Sequence, residues 1–146
     1  MKVIKKKHIK KSKQIQHTWS ERKILEKIQS PFIVKMRYAF QDEKKLFFVL
    51  DYCPGGELFF YIKNIKRFKE DSARFYASNI LLGLECLHLN DVLYRDLKPE
   101  NILIDKEGYA IITDFGLSKD NFQDSSGATS FCGTTEYIAP EILKKQ

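Results

Sequence analysis

The stretch “YRDLKPENILI”, residues 94–104, decides how this sequence of 146 residues is interpreted. It places Asp96, Lys98 and Asn101 between a helical pattern and a short apolar run. A short loop there can direct all three side chains towards one point. An aspartate can accept a proton from a hydroxyl group, a lysine can neutralise a transferring anion, and an asparagine oxygen can ligate a hard cation such as Mg²⁺.

A second motif, “TDFG”, brings Asp114 thirteen residues after Asn101. Because Asp114 ends an apolar run, its carboxylate can emerge at the same edge as Asn101. One carboxylate, one amide oxygen and phosphate oxygens suit Mg²⁺, which prefers few protein ligands and keeps its waters. Either motif alone would be ambiguous, since a lone Asp is usually a turn former. Their order, followed by “APE” at residues 139–141, makes coincidence implausible.

The rest of the chain alternates between strand-like and helical patterns, which predicts an α+β fold of two packed lobes meeting near “DYCPGG”, residues 51–56. Periodicity and composition predict a strand at 2–4, a hairpin of 33–40 with 45–52, helices at 14–29, 57–64 and 70–89, and a second hairpin of 101–104 with 109–113. In the third helix, the stripe predicted to face the core is Ala73, Tyr76, Ala77, Ile80, Leu84 and Leu87.

Charge patterning argues against nucleic acid as a partner. The formal net charge is +6, but seven lysines precede the first acidic residue, Glu21. The remainder is close to neutral, so a solvated basic segment is favoured over a basic stripe across a folded face. A nuclear-import patch remains a minor alternative.

Cysteine usage and hydropathy indicate the compartment. Cys53, Cys86 and Cys132 are an odd number without paired metal-binding spacing. No signal peptide and no apolar run of membrane-spanning length occurs. Free thiols fit a reducing, intracellular compartment. We therefore expect a cytoplasmic protein, with the nucleus as the alternative.

The motifs together resemble a eukaryotic protein kinase, more narrowly a Ser/Thr kinase of the AGC group. Besides residues 94–101, the resemblance rests on “DFGLSK” and “SFCGTTEYIAPE”, and is supported by “HTWSERKIL”, “SPFIVKMRYAF” and “DYCPGGELF”. Lys98 favours Ser/Thr over Tyr specificity, and Tyr94 stands where many kinases have His. The ribosomal-protein kinase, Akt-like, serum-regulated and protein kinase C-like branches all stay open. The resemblance implies ATP and Mg²⁺ as cofactors, protein substrates with Ser or Thr acceptors, and an upstream activating kinase.

The resemblance also implies roles for individual residues. Asp96 is expected to be the catalytic base and Lys98 to steady the γ-phosphate, with Asn101 and Asp114 as the Mg²⁺ ligands. The expected ATP-binding residues are Lys2 with its partner Glu21, the gatekeeper Leu50, the backbone of Asp51 and Cys53 at adenine, Glu57 at the ribose, Leu103 as the apolar floor, and Asp114. The alternative for Lys2 is a frayed terminal lysine.

Regulatory and substrate-binding residues are implied in the same way. Ser130 resembles the activation-loop phosphosite, and its expected phosphate contacts are Arg95, Lys119 and His17. His17 and Glu21 lie four residues apart, hence on one helical face, although His17 can also be an ordinary surface histidine. Peptide contacts are expected at Glu57, Glu100 and Thr134, with a preference for basic sequence contexts.

The resemblance predicts a partial kinase domain over 1–146. Residues 1–52 correspond to the N-lobe from its third strand, and residues 53–146 to the hinge and the C-lobe as far as the APE motif. No Gly-rich GxGxxG loop precedes Lys2. Two interpretations stay open: part of a complete, active kinase, or an inactive kinase-derived fragment acting as a binding module or decoy.

Overall fold

The computed structural model describes residues 1–9, 12–120 and 133–144, so Ser130 and Cys132 lie outside the described residues. The strands are β1 Lys2–Lys5, β2 Met36–Gln41, β3 Lys45–Leu50, β4 Gly56–Glu57, β5 Ile102–Ile104 and β6 Ala110–Ile112. The α-helices are α1 Ser12–Lys27, α2 Leu58–Ile65, α3 Glu70–Leu89 and α4 Pro140–Leu143, with 3₁₀ turns at Lys6–His8, Pro99–Asn101 and Thr135–Tyr137. The predicted α+β class is confirmed.

The first sheet has the antiparallel order β1-β3-β2. Lys2 lies opposite Phe48, which places its side chain at a defined position in the sheet rather than in a frayed end. The β2–β3 turn is closed by Asp42, whose Oδ1 accepts hydrogen bonds from the backbone N–H groups of Lys44 at 2.7 Å and Lys45 at 2.6 Å. Such an Asx turn is a common way to reverse a chain between two strands.

The second sheet has the order β4-β5-β6 and carries the two central helices. The predicted hairpin of 101–104 with 109–113 is present as β5 and β6, with Ile102 opposite Ile112. Helix α3 has the predicted bounds, and Glu70 and Asp71 lie in its first turn, where the helix dipole favours negative charge. Helix α2 begins at Leu58 rather than Glu57, because Glu57 is extended and pairs with Leu103.

The predicted inward stripe of α3 was wrong in two positions, Ala73 and Ala77, which are exposed. The buried face contains Asn79 and Gly83 instead. Asn79 is tolerated there because its Oδ1 accepts a hydrogen bond from the backbone N–H of Ala110 at 3.0 Å. A stripe drawn through apolar residues alone cannot include a hydrogen-bonded asparagine or a glycine that allows close packing.

The two sheets are joined by a short extended segment between α1 and β2. The N–H of Val34 donates to Ile112 O at 2.9 Å, and the N–H of Ile112 donates to Phe32 O at 2.9 Å. These bonds explain why β2 begins at Met36 rather than at the predicted residue 33. The buried side chains on both sides form one core that includes Ile24, Leu25, Ile33, Val34, Leu87, Ile112 and Phe115. The domain boundary after residue 52 stays a prediction.

Replacing Gly83 with Ala is expected to destabilise the protein by about 1–2 kcal/mol, although Ala is the better helix former. A Cβ at this position would lie 2.7 Å from Ile112 Cδ1 and 3.2 Å from Phe32 O. Ile112 is fully buried and its backbone is bonded to Phe32, so neither can move freely. Chemical denaturation measures the change, with Ser72→Ala on the exposed face of α3 as the control. Equal unfolding free energies for both variants would refute this packing argument.

Candidate active site

The loop after α3 is fixed by hydrogen bonds between its own residues. The N–H of Asn101 donates to Lys98 O at 3.0 Å, which closes the 3₁₀ turn that begins at Pro99. The side-chain Nδ2 of Asn101 then donates to Asp96 O at 2.9 Å and to Asp96 Oδ2 at 3.0 Å. One buried amide therefore sets the position of Asp96.

Asp96, Lys98 and Thr134 form a triangle of polar contacts. Thr134 Oγ1 donates to Asp96 Oδ1 at 2.7 Å, and Lys98 Nζ donates to Thr134 Oγ1 at 2.8 Å. Lys98 Nζ also lies 3.1 Å from Asp96 Oδ2. Burial raises the pKa of Asp96, but hydrogen bonds from Thr134, Lys98 and Asn101 outweigh it, so the net pKa is lowered. Asp96 is therefore an ionised acceptor at neutral pH.

Asp114 lies beside this loop because β6 ends next to Asn101. The N–H of Thr113 donates to Asn101 O at 2.9 Å, and the Tyr94 hydroxyl donates to Thr113 O. Asp114 has a φ of 57°, a left-handed conformation that Asp tolerates better than most residues. The side chain that follows, Phe115, is fully buried and meets the Tyr94 ring edge-on at 5.4 Å.

Lys2 connects three segments that are distant in the sequence. Its Nζ lies 2.6 Å from Glu21 Oε1 on α1 and 3.1 Å from Asp114 Oδ1. Burial lowers the pKa of Lys2, but attraction to Glu21 and Asp114 outweighs it and raises the pKa, so the ammonium stays charged. Burial raises the pKa of Glu21, whose side chain is 4% exposed. The predicted Lys2–Glu21 pair is present.

The oxygen donors near this cluster fit a hard cation. Asn101 supplies an amide whose nitrogen is already bonded to Asp96, and Asp114 supplies a carboxylate that is 53% exposed. No group of three or more His, Cys, Asp or Glu side chains that could hold a metal occurs within residues 1–9, 12–120 and 133–144. A metal here would depend on water and phosphate oxygens, as Mg²⁺ commonly does.

The residues expected at the nucleotide base and ribose lie at the end of β3, in the segment that follows it, and in β4 and β5. Leu50 and Cys53 are partly buried against the core, and burial raises the pKa of the Cys53 thiol. The N–H of Asp51 donates to Lys35 O at 2.9 Å. Leu103 is half-buried in β5, directly opposite the exposed Glu57.

Two of the residues expected to contact a phosphate, Arg95 and Lys119, lie on segments that are bonded to each other. Leu93 and Lys119 exchange two backbone hydrogen bonds of 2.9 Å, and Arg95 Nε donates to Leu117 O at 2.9 Å. Burial lowers the pKa of His17, as does repulsion from Lys13 and Arg95. Ser130 lies outside the described residues.

The side chain of Glu100 has one buried carboxylate oxygen that is not hydrogen-bonded within the described residues. This oxygen is Oε2. A buried acceptor without a donor is costly in a folded protein, so such an atom is a candidate for contact with a ligand.

Sequence reasoning missed an ion pair between β2 and the residues that follow β3. Arg37 Nε and Nη2 donate to the two carboxylate oxygens of Asp51 at 2.5 and 2.8 Å. The two residues lie fourteen positions apart in different segments, and no local motif links them. Only the strand pairing brings them together.

Among the described residues, no helix is long and apolar enough to cross a membrane.

Comparison with known proteins identifies the family. The model of the protein kinase domain matches residues 1–146. Similar curated proteins include the RAC family serine/threonine-protein kinase homolog of Dictyostelium discoideum, 52% identical over 99% of this chain, and serine/threonine-protein kinases Sgk1 and Sgk2 of Homo sapiens, 50% and 48% identical over 100% of it. The chain spans 33%, 34% and 40% of these three relatives, respectively. The chain therefore belongs to the protein kinase family, within the AGC group of serine/threonine kinases.

Proposed function

We propose that this chain supplies the catalytic centre of an ATP- and Mg²⁺-dependent kinase that phosphorylates Ser and Thr hydroxyls of proteins. One observation carries the proposal: Asp96, Lys98 and Asn101 converge by direct hydrogen bonds and contacts, while Asp114 is held next to Asn101 and to the Lys2–Glu21 pair. These are the groups that phosphoryl transfer needs, since its catalysis is mainly positioning and charge stabilisation.

Each residue has a distinct part in the proposed reaction. Asp96 accepts the proton of the substrate hydroxyl as that oxygen forms its bond to the γ-phosphorus, and the bond from the γ-phosphorus to the β-phosphate oxygen breaks. Lys98 lies where it can offset charge on the transferring group. Lys2, held by Glu21, binds the α- and β-phosphates. Asn101 and Asp114 would hold Mg²⁺, which would supply positive charge at the phosphates.

In this proposal the nucleotide base and ribose bind at the end of β3, the segment that follows it, and the paired strands β4 and β5. The N–H of Asp51 is already bonded to Lys35 O, so its carbonyl is the group left to meet the adenine amino group. Cys53 meets the base through its backbone, Leu50 forms the back of the pocket, and Leu103 forms the floor. Glu57, opposite Leu103, contacts the ribose.

The expected substrates carry Arg or Lys before the phosphorylated residue. The buried Oε2 of Glu100 lacks a partner among the described residues, and a guanidinium or ammonium group would satisfy it. Glu57 adds exposed negative charge, and Thr134, bonded to both Asp96 and Lys98, lies where the substrate hydroxyl would arrive. The free thiols of Cys53 and Cys86 support an intracellular location.

A peptide-library assay tests the proposal. The purified full-length protein is incubated with Mg²⁺ and ATP, and the phosphorylated peptides are sequenced. We expect phosphoserine and phosphothreonine, enriched in peptides with upstream Arg or Lys. Phosphorylation of peptides without that enrichment would refute the proposed preference for basic sequences and leave the proposed kinase activity standing. Nucleotide binding without phosphorylation of any peptide would refute the proposed kinase activity and favour a binding module or decoy.

The rate of transfer is expected to show no acidic limb due to Asp96 between about pH 6 and pH 8. Because the folded-state pKa of Asp96 is depressed, its carboxylate is present above the ordinary pKa of 3.8 and is lost only as the pH falls through the lower folded value. The measurement is kcat against pH at saturating ATP and peptide, in wild type and in His17→Gln. Because burial also raises the pKa of Glu21, the same profile is measured in Glu21→Gln. An acidic limb that persists in both variants would contradict this assignment.

Ser130 is proposed as a phosphorylation site for an upstream kinase, with His17, Arg95 and Lys119 as its phosphate contacts. Phosphate there would add nearly two negative charges and could act on Glu21 through His17, one turn away on α1. Ser130→Ala is expected to lower kcat and leave the KM for ATP nearly unchanged. Thr129→Ala is the matched control, and equal turnover of the two variants would argue against the switch.

A further inference from the structure

Arg37 occupies an irregular position in β2. Met36 lies opposite Leu50, whereas Tyr38 lies opposite Val49, so the register shifts between Met36 and Tyr38. Between these two pairs, β2 contains one more residue than β3. Arg37 is that extra residue, and it forms a β-bulge. Bulges change the direction of a side chain relative to a regular ladder, and they occur often beside active sites.

The bulge directs Arg37 to the segment that follows β3. Its Nε donates to Asp51 Oδ1 at 2.5 Å and its Nη2 donates to Asp51 Oδ2 at 2.8 Å. Such a two-point contact fixes the orientation of a carboxylate as well as its position. The Arg37 hydrogen bond also lowers the pKa of Asp51, which keeps the carboxylate ionised.

Asp51 is held a second time through its backbone. Its N–H donates to Lys35 O at 2.9 Å, on the other side of Met36 from Arg37. Lys35 therefore holds the peptide group that precedes the Asp51 Cα, and Arg37 holds the side chain on the same Cα. No described residue donates a hydrogen bond to the Asp51 carbonyl.

We infer that Arg37 is a positioning residue for adenine recognition: by clamping the Asp51 carboxylate, it aims the Asp51 carbonyl at the adenine amino group. The inference rests on the proposed function, which places the Asp51 backbone at the base. It also implies that the bulge sets nucleotide preference from a strand that does not itself touch the nucleotide.

Kinetics with two nucleotides test the inference on the purified full-length protein. The first is ATP, and the second is purine riboside triphosphate, which lacks the 6-amino group. Arg37→Gln is expected to raise the KM for ATP by about two- to fivefold, a modest change because the pair is partly exposed. The same variant should leave kcat and the KM for purine riboside triphosphate unchanged, because that nucleotide cannot use the Asp51 carbonyl.

Two further variants separate this role from general stability. Arg74→Gln removes a guanidinium that pairs with Glu70 on the exposed face of α3, and it should leave both KM values unchanged. Asp51→Asn should resemble Arg37→Gln, and the double variant should be no worse than either single variant, because coupled residues are not additive. Additive effects would overturn the clamp.

The outcomes distinguish the inference from the proposed function. If wild type uses both nucleotides with the same KM, the Asp51 carbonyl does not read the amino group, and the proposed placement of adenine fails. If wild type prefers ATP but Arg37→Gln keeps the full preference, the placement stands and the inference is overturned. An equal rise in the KM for both nucleotides would also overturn it, since it would indicate a general disturbance.

Discussion

Replacing Asp96 with Asn in the full-length protein is expected to lower kcat by about 10²–10⁴-fold. Asn has nearly the same shape, so the contact with Asn101 and Thr134 can largely persist. It carries no negative charge, however, and it cannot take the proton of a substrate hydroxyl. The KM for ATP should change little, because the Lys2–Glu21 pair and Asp51 are untouched. Steady-state kinetics with a saturating peptide measure both constants.

The matched control is Asp71→Asn, which removes the same charge from a side chain that is 93% exposed on α3. Its kcat should equal that of wild type. If Asp96→Asn retained more than about a tenth of wild-type turnover while folding normally, proton transfer to this carboxylate would contribute less than general base catalysis usually does. The assignment of Asp96 as the base would then be abandoned.

Replacing Phe115 with Ala is expected to reduce the unfolding free energy by about 3–5 kcal/mol. Phe115 is fully buried, so its loss removes a large apolar surface and leaves a cavity in the core. The ring also packs edge-on against Tyr94, whose hydroxyl bonds to the backbone just before Asp114. Against a total stability of about 5–15 kcal/mol for a typical domain, such a loss is severe. Urea denaturation followed by fluorescence gives the value.

Leu89→Ala is the comparison for this change. Leu89 ends α3 and is 80% exposed, so its truncation should alter stability by no more than about 0.5 kcal/mol. Phe115→Leu should fall between the two, because it keeps much of the apolar volume. A loss below about 1 kcal/mol for Phe115→Ala would mean that the surrounding side chains close the cavity, contrary to the packing described above.

Local sequence signals predicted the geometry of the loop around Asp96 better than they predicted the packing of the core. The loop around Asp96 is built from neighbours in the chain, so the spacing of Lys98 and Asn101 already implied their convergence. Helix α3 has strong periodicity and charged residues in its first turn, and its bounds were predicted correctly. The pairing of Lys2 with Glu21 was expected only from the resemblance to kinases, because nothing in the local sequence joins a strand to the helix that follows.

The features that were not predicted from the sequence all depend on contacts between segments that are distant in the chain. Asn79 is polar, and only its bond to the Ala110 backbone makes it a core residue. The strand β2 begins late because Val34 pairs with Ile112 rather than with β3. The Arg37–Asp51 pair requires a one-residue shift in strand register. Periodicity describes which face of an element is apolar, and it carries no information on register or on partners.

Tyr94 has a consequence for how this protein responds to cell acidification. Its hydroxyl joins the loop of Asp96 to the strand that delivers Asp114. Burial, with repulsion from Asp114 and Asp96, raises the pKa of Tyr94 well above its ordinary value, so the Tyr94 hydroxyl stays neutral at physiological pH. A histidine at the same place would gain a proton between about pH 5 and pH 8. The tyrosine therefore keeps its charge unchanged at the contact between the two loops as the pH falls from about 8 to about 5, and any acid sensitivity of the protein must arise from other groups.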